Sequence, residues 1–243
     1  MAGIDSYTKL LLHCNGSDAS TTFTDSEITP KTMTANGNAQ IDTAQSKFGG
    51  ASGLFDGTGD TVTTGDNADW DFGTGAFTID FWVRFNSVAQ ARLLEIGNKG
   101  TIGIGIMYET PPSGIHLVIN GTTITFSTWT PSANTWYHVA VVRSGSSLYV
   151  FIDGTQLGST ETNSADISGS TEGFICGGWN SITTQNLNGW LDEVRVSKGI
   201  ARWTGNFTPE TAEYSLDVSY ASYHKGGSSQ VPLQDVTRGR ILI

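Results

Sequence analysis

Residues 136–154, WYHVAVVRSGSSLYVFIDG, predict a β-hairpin that constrains the fold more than any other feature of the chain. Two alternating apolar stretches are joined by a short Gly/Ser turn and closed by Asp153-Gly154. Successive side chains of a strand point to opposite faces, yet both faces carry apolar residues here, such as Val141 and Val142. A strand pair that is apolar on both faces must be covered on both, which indicates a sandwich of two packed sheets.

The composition supports an all-β chain with one main domain. Charged residues make up only 15% of the 243 residues and glycine occurs 30 times, which is typical of short strands separated by tight turns. All-β sandwiches often reach about 200–250 residues as one domain. We therefore expect one sandwich and not two smaller domains.

Charge and hydropathy argue against two kinds of partner. The formal net charge is -10 with only 13 Lys and Arg, which disfavours nucleic acid, because phosphate contacts need clustered cations. No stretch approaches the roughly 18 apolar residues of a membrane span. The start, MAGIDSYTKLLLHC, lacks the charged leader and long apolar core of a signal peptide, so synthesis in a cytoplasm without export is expected.

The strongest single strand is predicted at residues 77–85, FTIDFWVRF. Its apolar residues point to one face, whereas Asp80, Trp82 and Arg84 point to the other, which predicts a half-open, polar-lined sheet face. Further strands are predicted at residues 9–14, 92–96, 103–108, 115–119, 123–126, 173–177 and 187–196, with a two-residue turn at 120–121. Because no helical segment separates them, they indicate two packed antiparallel sheets.

Composition divides the chain into three parts. An N-terminal arm covers residues 1–9, the β-sandwich covers 10–214 and a C-terminal extension covers 215–243. The extension combines small polar residues, a Gly/Ser-rich stretch and the aliphatic end ILI. Two interpretations stay open: a disordered terminus, or an arm that pairs strand to strand with a neighbouring subunit.

Cysteine and histidine show no arrangement that indicates a metal or a nucleophile. Cys14 and Cys176 are the only cysteines, and both stand in apolar surroundings, so small buried hydrophobic residues are favoured over a disulfide between an early and a late strand. The histidines are scattered, without metal-ligand spacing or a serine elbow nearby: His13, His116, His138 and His224.

The acidic residues do not form the pair that a glycosidase needs. A retaining glycosidase places two carboxyl groups about 5–5.5 Å apart, commonly one residue apart on a strand so that they share a face. Asp80 and Glu95 each stand alone in a strand, and the neighbours Asp192 and Glu193 are expected to point to opposite faces. We therefore predict no catalytic residue and a protein that is not an enzyme.

Several motifs in a fixed order carry a family resemblance. AQSKFGGASGLFDGTGD (44–60), DFGTGAFTIDFWVRF (71–85), the hairpin at 136–154 and LNGWLDEVRVSKGIARWTGNFTPETAEY (187–214) together resemble a laminin-G-like domain of the concanavalin A-like superfamily. The resemblance covers roughly residues 10–214 and implies a two-sheet antiparallel jelly-roll sandwich. Hydrolases of the family implied by the resemblance carry a Glu-X-Asp-X-X-Glu motif, and this chain has no such motif.

The style of these motifs, with KFG, FDGTGD and DEVRVSKGIARW, resembles copies of the domain in tailed-phage virion proteins. The resemblance implies an exposed decoration, fibre or tail component of a phage particle, assembled in the host cytoplasm. Its partners would be other virion proteins or copies of itself, in a homo-oligomer such as a trimer. Fold alone does not establish function, and the alternative is a lectin-like module that binds host or surface glycans.

The same resemblance implies a structural Ca²⁺ as the one cofactor. In the family the early and the late strand lie side by side, and the Asp of the late motif, here Asp192, holds the ion together with mainly backbone oxygens. The matching early position usually carries Asp, whereas this chain has Asn15, so one negative charge is lost. The alternative is that Asp192 only accepts hydrogen bonds from the backbone of the adjoining strand.

Glycan binding by such a jelly roll needs an aromatic ring that stacks on a sugar and polar side chains that bond to its hydroxyl groups. Trp179 and Asn180, with Gln185, form the best local set and lie on a predicted loop. Tyr108 and Glu109 form a second candidate pair, just before two prolines. These five residues are the predicted glycan ligands.

Overall fold

A computed structural model describes residues 4–180 and 184–215 of the chain. Two antiparallel sheets pack face to face in these ranges and confirm the predicted two-sheet sandwich. The described helical content is one short 3-10 turn, Ala68–Trp70. None of the described residues forms a helix with the length and hydropathy needed to cross a bilayer.

The sandwich contains a larger and a smaller sheet. The strands are β1 (Thr8–Leu12), β2 (Thr34–Asn36), β3 (Gln40–Asp42), β4 (Ser52–Asp56), β5 (Thr61–Thr64), β6 (Phe77–Phe85), β7 (Ala91–Asn98), β8 (Ile102–Glu109), β9 (Gly114–Ile119), β10 (Thr122–Ser127), β11 (Trp136–Ser144), β12 (Ser147–Ile152), β13 (Thr155–Gln156), β14 (Glu161–Thr162), β15 (Phe174–Cys176) and β16 (Asn188–Lys198). The larger sheet runs β13-β12-β11-β6-β16-β4-β3, with β1 beside β16 and β14 beside β12. The smaller runs β10-β9-β8-β7-β15-β5-β2.

The core lies between the two sheets. Strand β6 sits in the middle of the larger sheet and sends Ile79, Phe81 and Val83 into this core, as the alternation of its sequence predicts. The smaller sheet contributes residues such as Ile96 and Ile106 from β7 and β8. Each such fully buried side chain stabilises the fold by roughly 1.5–3 kcal/mol relative to exposure.

The predicted hairpin is formed by β11 and β12, which pair from Val139↔Ile152 to Ser144↔Ser147. One face of the hairpin joins the core between the sheets. The outer face, which points away from the smaller sheet, is covered by an irregular segment of residues 199–214, here called the covering segment. Its Trp203 and Phe207 pack on Ala140, Val142 and Phe151 of the hairpin. Both faces are therefore buried, but a non-strand segment covers the second one.

The covering segment also closes part of the outer face of β6. Asp80 is fully buried there, in an ion pair with Arg195 of β16, and it accepts a hydrogen bond from the Tyr214 hydroxyl, whose ring packs on the Arg195 guanidinium. The covering segment does not close the other end of this face, around Trp82 and Arg84. Arg84 is accordingly only half-buried. The half-open face predicted for this strand is thus restricted to one end of the sheet.

A β-bulge interrupts β16 at Glu193, whose φ angle is 50°. Asp192 pairs with Trp82, and the next pair is Arg195 with Asp80. Between these two pairs β16 advances by three residues and β6 by two. The neighbour on the other edge of β16 changes at the same place, from β4 to β1. The extra residue alters the alternation of side chains, as bulges do.

The bulge brings Asp192 and Glu193 to one face of the larger sheet. Asp192 is paired with Trp82, which lies on the outer face. Glu193 Oε2 accepts a hydrogen bond of 2.8 Å from the backbone N–H of Tyr214, which also covers that face. The prediction of opposite faces for these neighbours was wrong, because strict alternation assumes a strand without a bulge.

Both cysteines are buried and unpaired, which confirms the prediction of small buried hydrophobic residues over a disulfide. Cys14 follows β1 and Cys176 ends β15, on different sheets. Burial raises the pKa of the Cys176 thiol to about 12. Neither thiol therefore has the exposed, acidic character of a reactive cysteine.

The described ends of the chain lie together. The backbone N–H of Ile4 donates a 2.8 Å hydrogen bond to the carbonyl oxygen of Ser215, and Ile4 packs with Leu11 and Tyr214. Both the N-terminal segment and the covering segment are thereby fixed on the larger sheet. The predicted C-terminal extension, apart from Ser215, and His224 within it lie outside the described residues.

Candidate functional site

A groove opens at the uncovered end of the outer face of the larger sheet. Its cavity volume is ≈ 430 Å³, within the range of about 300–1,000 Å³ that is usual for small-molecule sites. We call it the sheet-end groove, and its lining residues are Lys47, Phe48, Trp82, Trp136, Asp153, Pro209, Glu210 and Thr211. Five separate parts of the chain build it: the loop before β4, the strands β6 and β11, the turn after β12 and the covering segment.

Aromatic rings form the apolar part of the groove. Trp82 of β6 is nearly buried, and the Phe48 ring meets it edge to face with 5.8 Å between ring centroids. The ammonium of Lys47 lies 3.8 Å from the centroid of the Trp82 ring, a cation–π contact that holds the loop before β4 on the sheet. Trp136, at the start of β11, is half-buried and lines the groove.

Polar side chains surround these rings. Asp153 has a φ angle of 49° in the Asp-Gly turn that closes the hairpin, and its Oδ1 accepts a hydrogen bond of 2.8 Å from the backbone N–H of His138. Glu210 and Thr211 come from the covering segment. A sugar presents both an apolar ring face and hydroxyl groups, and this combination of rings and polar groups can bind both.

Asp192 lies beside the groove and is fully buried, with 0% of its surface exposed. Its Oδ2 accepts hydrogen bonds from the backbone N–H groups of Lys47, at 2.8 Å, and Phe48, at 3.1 Å. Its Oδ1 has no hydrogen-bond partner among the described residues. Burial raises the pKa of this carboxyl to about 7, because the loss of solvation outweighs the two hydrogen bonds from Lys47 and Phe48, which lower the pKa. Asp192 thus fixes the loop that supplies two groove residues.

A second set of ligand-type side chains adjoins Asp192. His13 Nδ1 lies 2.5 Å from Glu193 Oε1, and Glu213 approaches the same place from the covering segment. One donor atom from each of these three residues lies within 4.8 Å of the others. Asn15 Nδ2 donates to Glu213 Oε1 at 2.5 Å. We call His13, Glu193 and Glu213 the bulge cluster.

The donor atoms near Asp192 match calcium only in part. Calcium takes six to eight oxygen ligands. Asp192 offers one free oxygen, Oδ1, but its other oxygen is engaged by two backbone N–H groups. The amide nitrogen of Asn15 is turned to Glu213, and His13 adds a nitrogen donor. Asp192 does accept backbone hydrogen bonds, but they come from the loop before β4 and not from the adjoining strand that the alternative to an ion named.

The predicted glycan residue Trp179 is not an open platform. Its indole is only 5% exposed, and its Nε1 donates a 2.8 Å hydrogen bond to the carbonyl oxygen of Leu94. Arg92 and Lys99 lie 4.6 and 4.5 Å from its ring centroid. Cations therefore occupy the space around the ring that a sugar would need for stacking.

Tyr108 is also removed from the predicted glycan surface. Its ring is 1% exposed and packs in the core against Phe85 and Trp129, because Tyr108 is an inward-facing residue of β8 and not a loop residue. This placement corrects the prediction for Tyr108. The cause is the alternation of β8, which continues through Glu109.

The remaining predicted glycan residues lie near one another on the smaller sheet. Arg92 bonds to Gln185, and Gln90 bonds to both Gln185 and Glu109. The backbone N–H of Asn180 donates to Glu95 Oε2 at 2.7 Å. The structure thus assembles Trp179, Asn180, Gln185 and Glu109 into one patch, with polar groups that bond to one another.

The sequence predictions did not include the residues of the sheet-end groove. Trp136 stands at the start of the hairpin and Asp153 at its closing turn, so the hairpin motif contained both. Lys47 and Phe48 belong to the KFG motif that carried the resemblance. Their meeting depends on the covering segment and on the bulge, neither of which has a periodic signal.

Solved structures with the same architecture share little sequence with this chain. Domain 4 of AbnA, an extracellular GH43 arabinanase from Geobacillus stearothermophilus solved with arabinotriose, has a TM-score of 0.61 and 17% identity, over 81% of this chain and 95% of that one. Trypanosoma rangeli sialidase in complex with sialic acid has a TM-score of 0.58 and 15% identity, over 82% of this chain and 32% of the sialidase chain. A structure of botulinum neurotoxin type C has a TM-score of 0.59 and 16% identity, over 81% of this chain and 49% of the toxin chain. The chain thus spans about a third of the sialidase chain and half of the toxin chain.

The sequence comparison identifies a family. No curated protein matches the chain. A laminin-G family model, described as the concanavalin A-like lectin/glucanases superfamily, matches residues 56–202, which is more than half of the chain. This match includes β6, the hairpin and β16, the elements that form the centre of the larger sheet. The chain therefore belongs to this laminin-G family of the concanavalin A-like lectin/glucanase superfamily.

Proposed function

We propose that the protein is a non-catalytic carbohydrate-binding module whose ligand lies in the sheet-end groove. The observation that carries the proposal is the meeting of Phe48, Trp82 and Trp136 with the polar groups of Asp153 and Glu210 around one cavity of ≈ 430 Å³. The ring of the half-buried Trp136 offers a stacking surface for a sugar. The carboxylates and the nearby Lys47 can bond to its hydroxyl groups.

The similar solved structures support the ligand class. The arabinanase domain was solved with arabinotriose and the sialidase with sialic acid, and cell entry of botulinum neurotoxin type C depends on two ganglioside molecules. All three ligands carry sugars. At 17% identity or less these likenesses show the fold alone, so the proposed sugar site rests on the groove itself.

The state of the buried carboxylates supports a role without catalysis. Asp80 is ion-paired with Arg195, Glu95 is ion-paired with Lys99, and Glu193 contacts His13. These groups hold the fold together and are engaged in its interior.

The groove itself carries two carboxyl groups, those of Asp153 and Glu210, and Asp153 Oδ1 already accepts a hydrogen bond from the backbone N–H of His138. A glycosidase needs two such groups at a fixed separation beside one bound sugar, so a hydrolysis assay must test this pair directly.

A glycan array followed by a hydrolysis screen tests the proposal. The full chain should bind a defined group of glycans on the array. Incubation with those same glycans should release no reducing ends. Release of sugar at a rate above the uncatalysed background would overturn the non-catalytic assignment, and silence of the array would count against glycan binding.

The structural calcium implied by the resemblance stays a proposal for Asp192 and Asn15. Its support is the buried Oδ1 of Asp192 without a described partner. The melting temperature of the full chain, measured with EDTA and with calcium chloride, tests it. A higher melting temperature in calcium supports the ion, and an unchanged one removes it.

We further propose that the module acts as an exposed phage virion component, a setting that rests on the resemblance of the KFG, FDGTGD and DEVRVSKGIARW motifs. The partners would be virion proteins or copies of the chain, as in a trimer. Size-exclusion chromatography with light scattering measures the oligomeric state of the full chain and of a chain that ends at Tyr214. Loss of the oligomer on truncation supports the extension as an inter-subunit arm, and an unchanged oligomer contradicts it.

A further inference from the structure

We infer that Arg84 makes the protein selective for acidic glycans, because it binds the carboxylate of a sugar beside the sheet-end groove. The inference rests on the proposed function and adds the chemical class of the glycan, a chain that contains carboxylate-bearing sugars such as uronic acids. The site is the row of side chains from Trp136 across Arg84 to Trp190, here called the tryptophan row.

Strand pairing places the tryptophan row on the outer face of the larger sheet. Arg84 of β6 pairs with Trp136 of β11 on one side and with Trp190 of β16 on the other. Arg84 stands two residues after Trp82, so both side chains point to the same face. Neighbouring strands lie about 4.8 Å apart, so the row extends roughly 10 Å across the sheet. Trp136 also lines the groove, which makes the two surfaces continuous.

The positive charge of Arg84 has no counterion in the described part of the chain. Its Nη1 is buried without a hydrogen-bond partner, and no described carboxylate forms an ion pair with the guanidinium. The carboxylate that contacts the row, that of Asp42, accepts hydrogen bonds from Trp190 Nε1 at 2.7 Å and from the backbone N–H of Ala44 at 2.9 Å. A partly desolvated charge is unfavourable until a counterion offsets it. Arg84 can therefore bind an anion from outside the chain.

The other described arginines are all engaged by the protein. Arg195 and Arg202 form ion pairs with carboxylates. Arg143 donates to three backbone carbonyl oxygens, and Arg92 bonds to a backbone carbonyl oxygen and a glutamine side chain. The chain has a formal net charge of -10, so carboxylates are plentiful. That none of those described pairs with Arg84 sets this side chain apart.

The surroundings of the guanidinium favour a planar anion that is attached to a sugar. Its carbon lies 4.7 Å from the centroid of the Trp190 ring, a cation–π contact that covers one face of the group. The N–H donors of a guanidinium point outward from its edge, where a carboxylate accepts two parallel hydrogen bonds. The tryptophan rings on either side offer apolar surface for sugar rings. A carboxylate-bearing sugar uses both features, whereas a neutral sugar uses only the rings.

The charges at this end of the sheet are separated by sign. Lys47 places its ammonium over the ring of Trp82, the outward-facing neighbour of Arg84 on β6. The groove carboxylates of Asp153 and Glu210 come from the turn after β12 and from the covering segment, and β11 separates β12 from β6 in the sheet. The acidic sugar therefore lies over β6 and β16, and hydroxyl groups of the adjoining sugars face the two carboxylates.

A glycan array with carboxylated, sulfated and neutral glycans, followed by isothermal titration calorimetry of the full chain, tests the inference. We expect the carboxylated glycans to rank highest. The best of them is then compared with its carboxyl-reduced form, in which each carboxylate is replaced by a hydroxymethyl group. Reduction should weaken binding at least tenfold. This comparison uses the unchanged chain and so does not depend on the folding of any variant.

Variants then assign the selectivity to Arg84. Arg84→Gln should weaken binding of the carboxylated glycan at least tenfold and leave binding of the reduced glycan unchanged. Arg84→Lys keeps the charge without the two-point geometry and should recover only part of the loss. Arg92→Gln is the matched control, because Arg92 is also half-buried and lies 4.6 Å from the centroid of a tryptophan ring, that of Trp179 on the smaller sheet. It should leave both affinities unchanged, and circular dichroism verifies the fold of each variant.

The contrary results separate this inference from the proposed function. Preferred binding of neutral or sulfated glycans overturns the acidic class and leaves glycan binding intact. Equal affinity for the carboxylated and the reduced glycan does the same. An equal loss for both glycans in Arg84→Gln also overturns the inference, because it shows a general effect on the site and not recognition of the carboxylate. A silent array overturns the inference together with the proposed function.

Discussion

Arg195 and Asp80 form a fully buried, two-point ion pair on the outer face of the larger sheet. Arg195 Nε lies 3.0 Å from Asp80 Oδ1, and Nη2 lies 3.1 Å from Oδ2. The Tyr214 hydroxyl donates to the same carboxylate at 2.6 Å, and its ring lies 3.7 Å from the guanidinium carbon. The pair thus fastens the end of the covering segment to the middle of the sheet.

Removing one partner of this pair should destabilise the protein strongly. Arg195→Gln leaves the Asp80 carboxylate buried without its charge partner, so the free energy of unfolding should fall by about 3–5 kcal/mol. Lys198→Gln, on the same strand, removes only a hydrogen bond from Nζ to the carbonyl oxygen of Ala68 and should cost about 1 kcal/mol or less. Urea unfolding measures both values. An equal decrease in the free energy of unfolding for both variants would contradict a strong contribution of the buried ion pair to stability.

The same pair predicts acid sensitivity. Burial alone would raise the pKa of Asp80, but the adjacent Arg195 outweighs it, so the folded-state pKa is well below the ordinary 3.8. A group with a lowered folded-state pKa stabilises the fold above its unfolded-state pKa, and this contribution is lost as the pH falls below about 4. Asp80→Asn should therefore show a flatter fall in stability between about pH 5 and pH 2 than the unchanged chain. Parallel pH profiles would contradict this origin of acid sensitivity.

Gly154 should be intolerant of any side chain. Its φ angle is 76°, and a Cβ there would overlap the carbonyl oxygen of Phe207 in the covering segment. Gly154→Ala should therefore displace that segment and lower stability by about 3 kcal/mol or more. Gly158→Ala is the matched control, because Gly158 has φ 66° with nothing within 4 Å and should cost only about 1 kcal/mol. Thermal unfolding compares the two variants.

Trp179 should matter for stability and not for glycan binding. Its indole is buried between two cations and bonded to the backbone of β7, so Trp179→Ala should cost about 3–5 kcal/mol. Glycan affinity, measured well below the melting temperature of the variant, should stay within about twofold. A folded variant that loses its glycan would instead place the ligand on the patch around Trp179, Gln185 and Glu109.

Alternation in the sequence was sufficient to predict the sheets, because a strand buried on one face needs apolar residues at every second position. Strand β6 and the hairpin show this directly, and the turn at Asn120-Gly121 has the positive φ angles, 47° and 78°, of a two-residue hairpin turn. What covers the second face of the hairpin could not be predicted. The covering segment is irregular, so its Trp203 and Phe207 stand at no periodic spacing.

The candidate sites were less accessible to sequence reasoning. The bulge at Glu193 has no sequence signal, yet it turns that carboxylate toward His13, 180 residues earlier in the chain. The solvent exposure of individual tryptophan side chains could not be predicted either. Trp136 and Trp179 are both tryptophans near strand ends, and only tertiary packing makes one of them half-exposed and the other buried.

The central claim is that the sheet-end groove binds a glycan through the Trp136 ring. Isothermal titration calorimetry with the best glycan of the array tests it in three proteins: the unchanged chain, Trp136→Ala, and Tyr149→Ala as a control that removes a half-buried ring of the same sheet outside the groove. We expect Trp136→Ala to weaken binding at least tenfold, which corresponds to about 1.4 kcal/mol, and Tyr149→Ala to leave it unchanged. Undiminished binding by a correctly folded Trp136→Ala variant would contradict the claim.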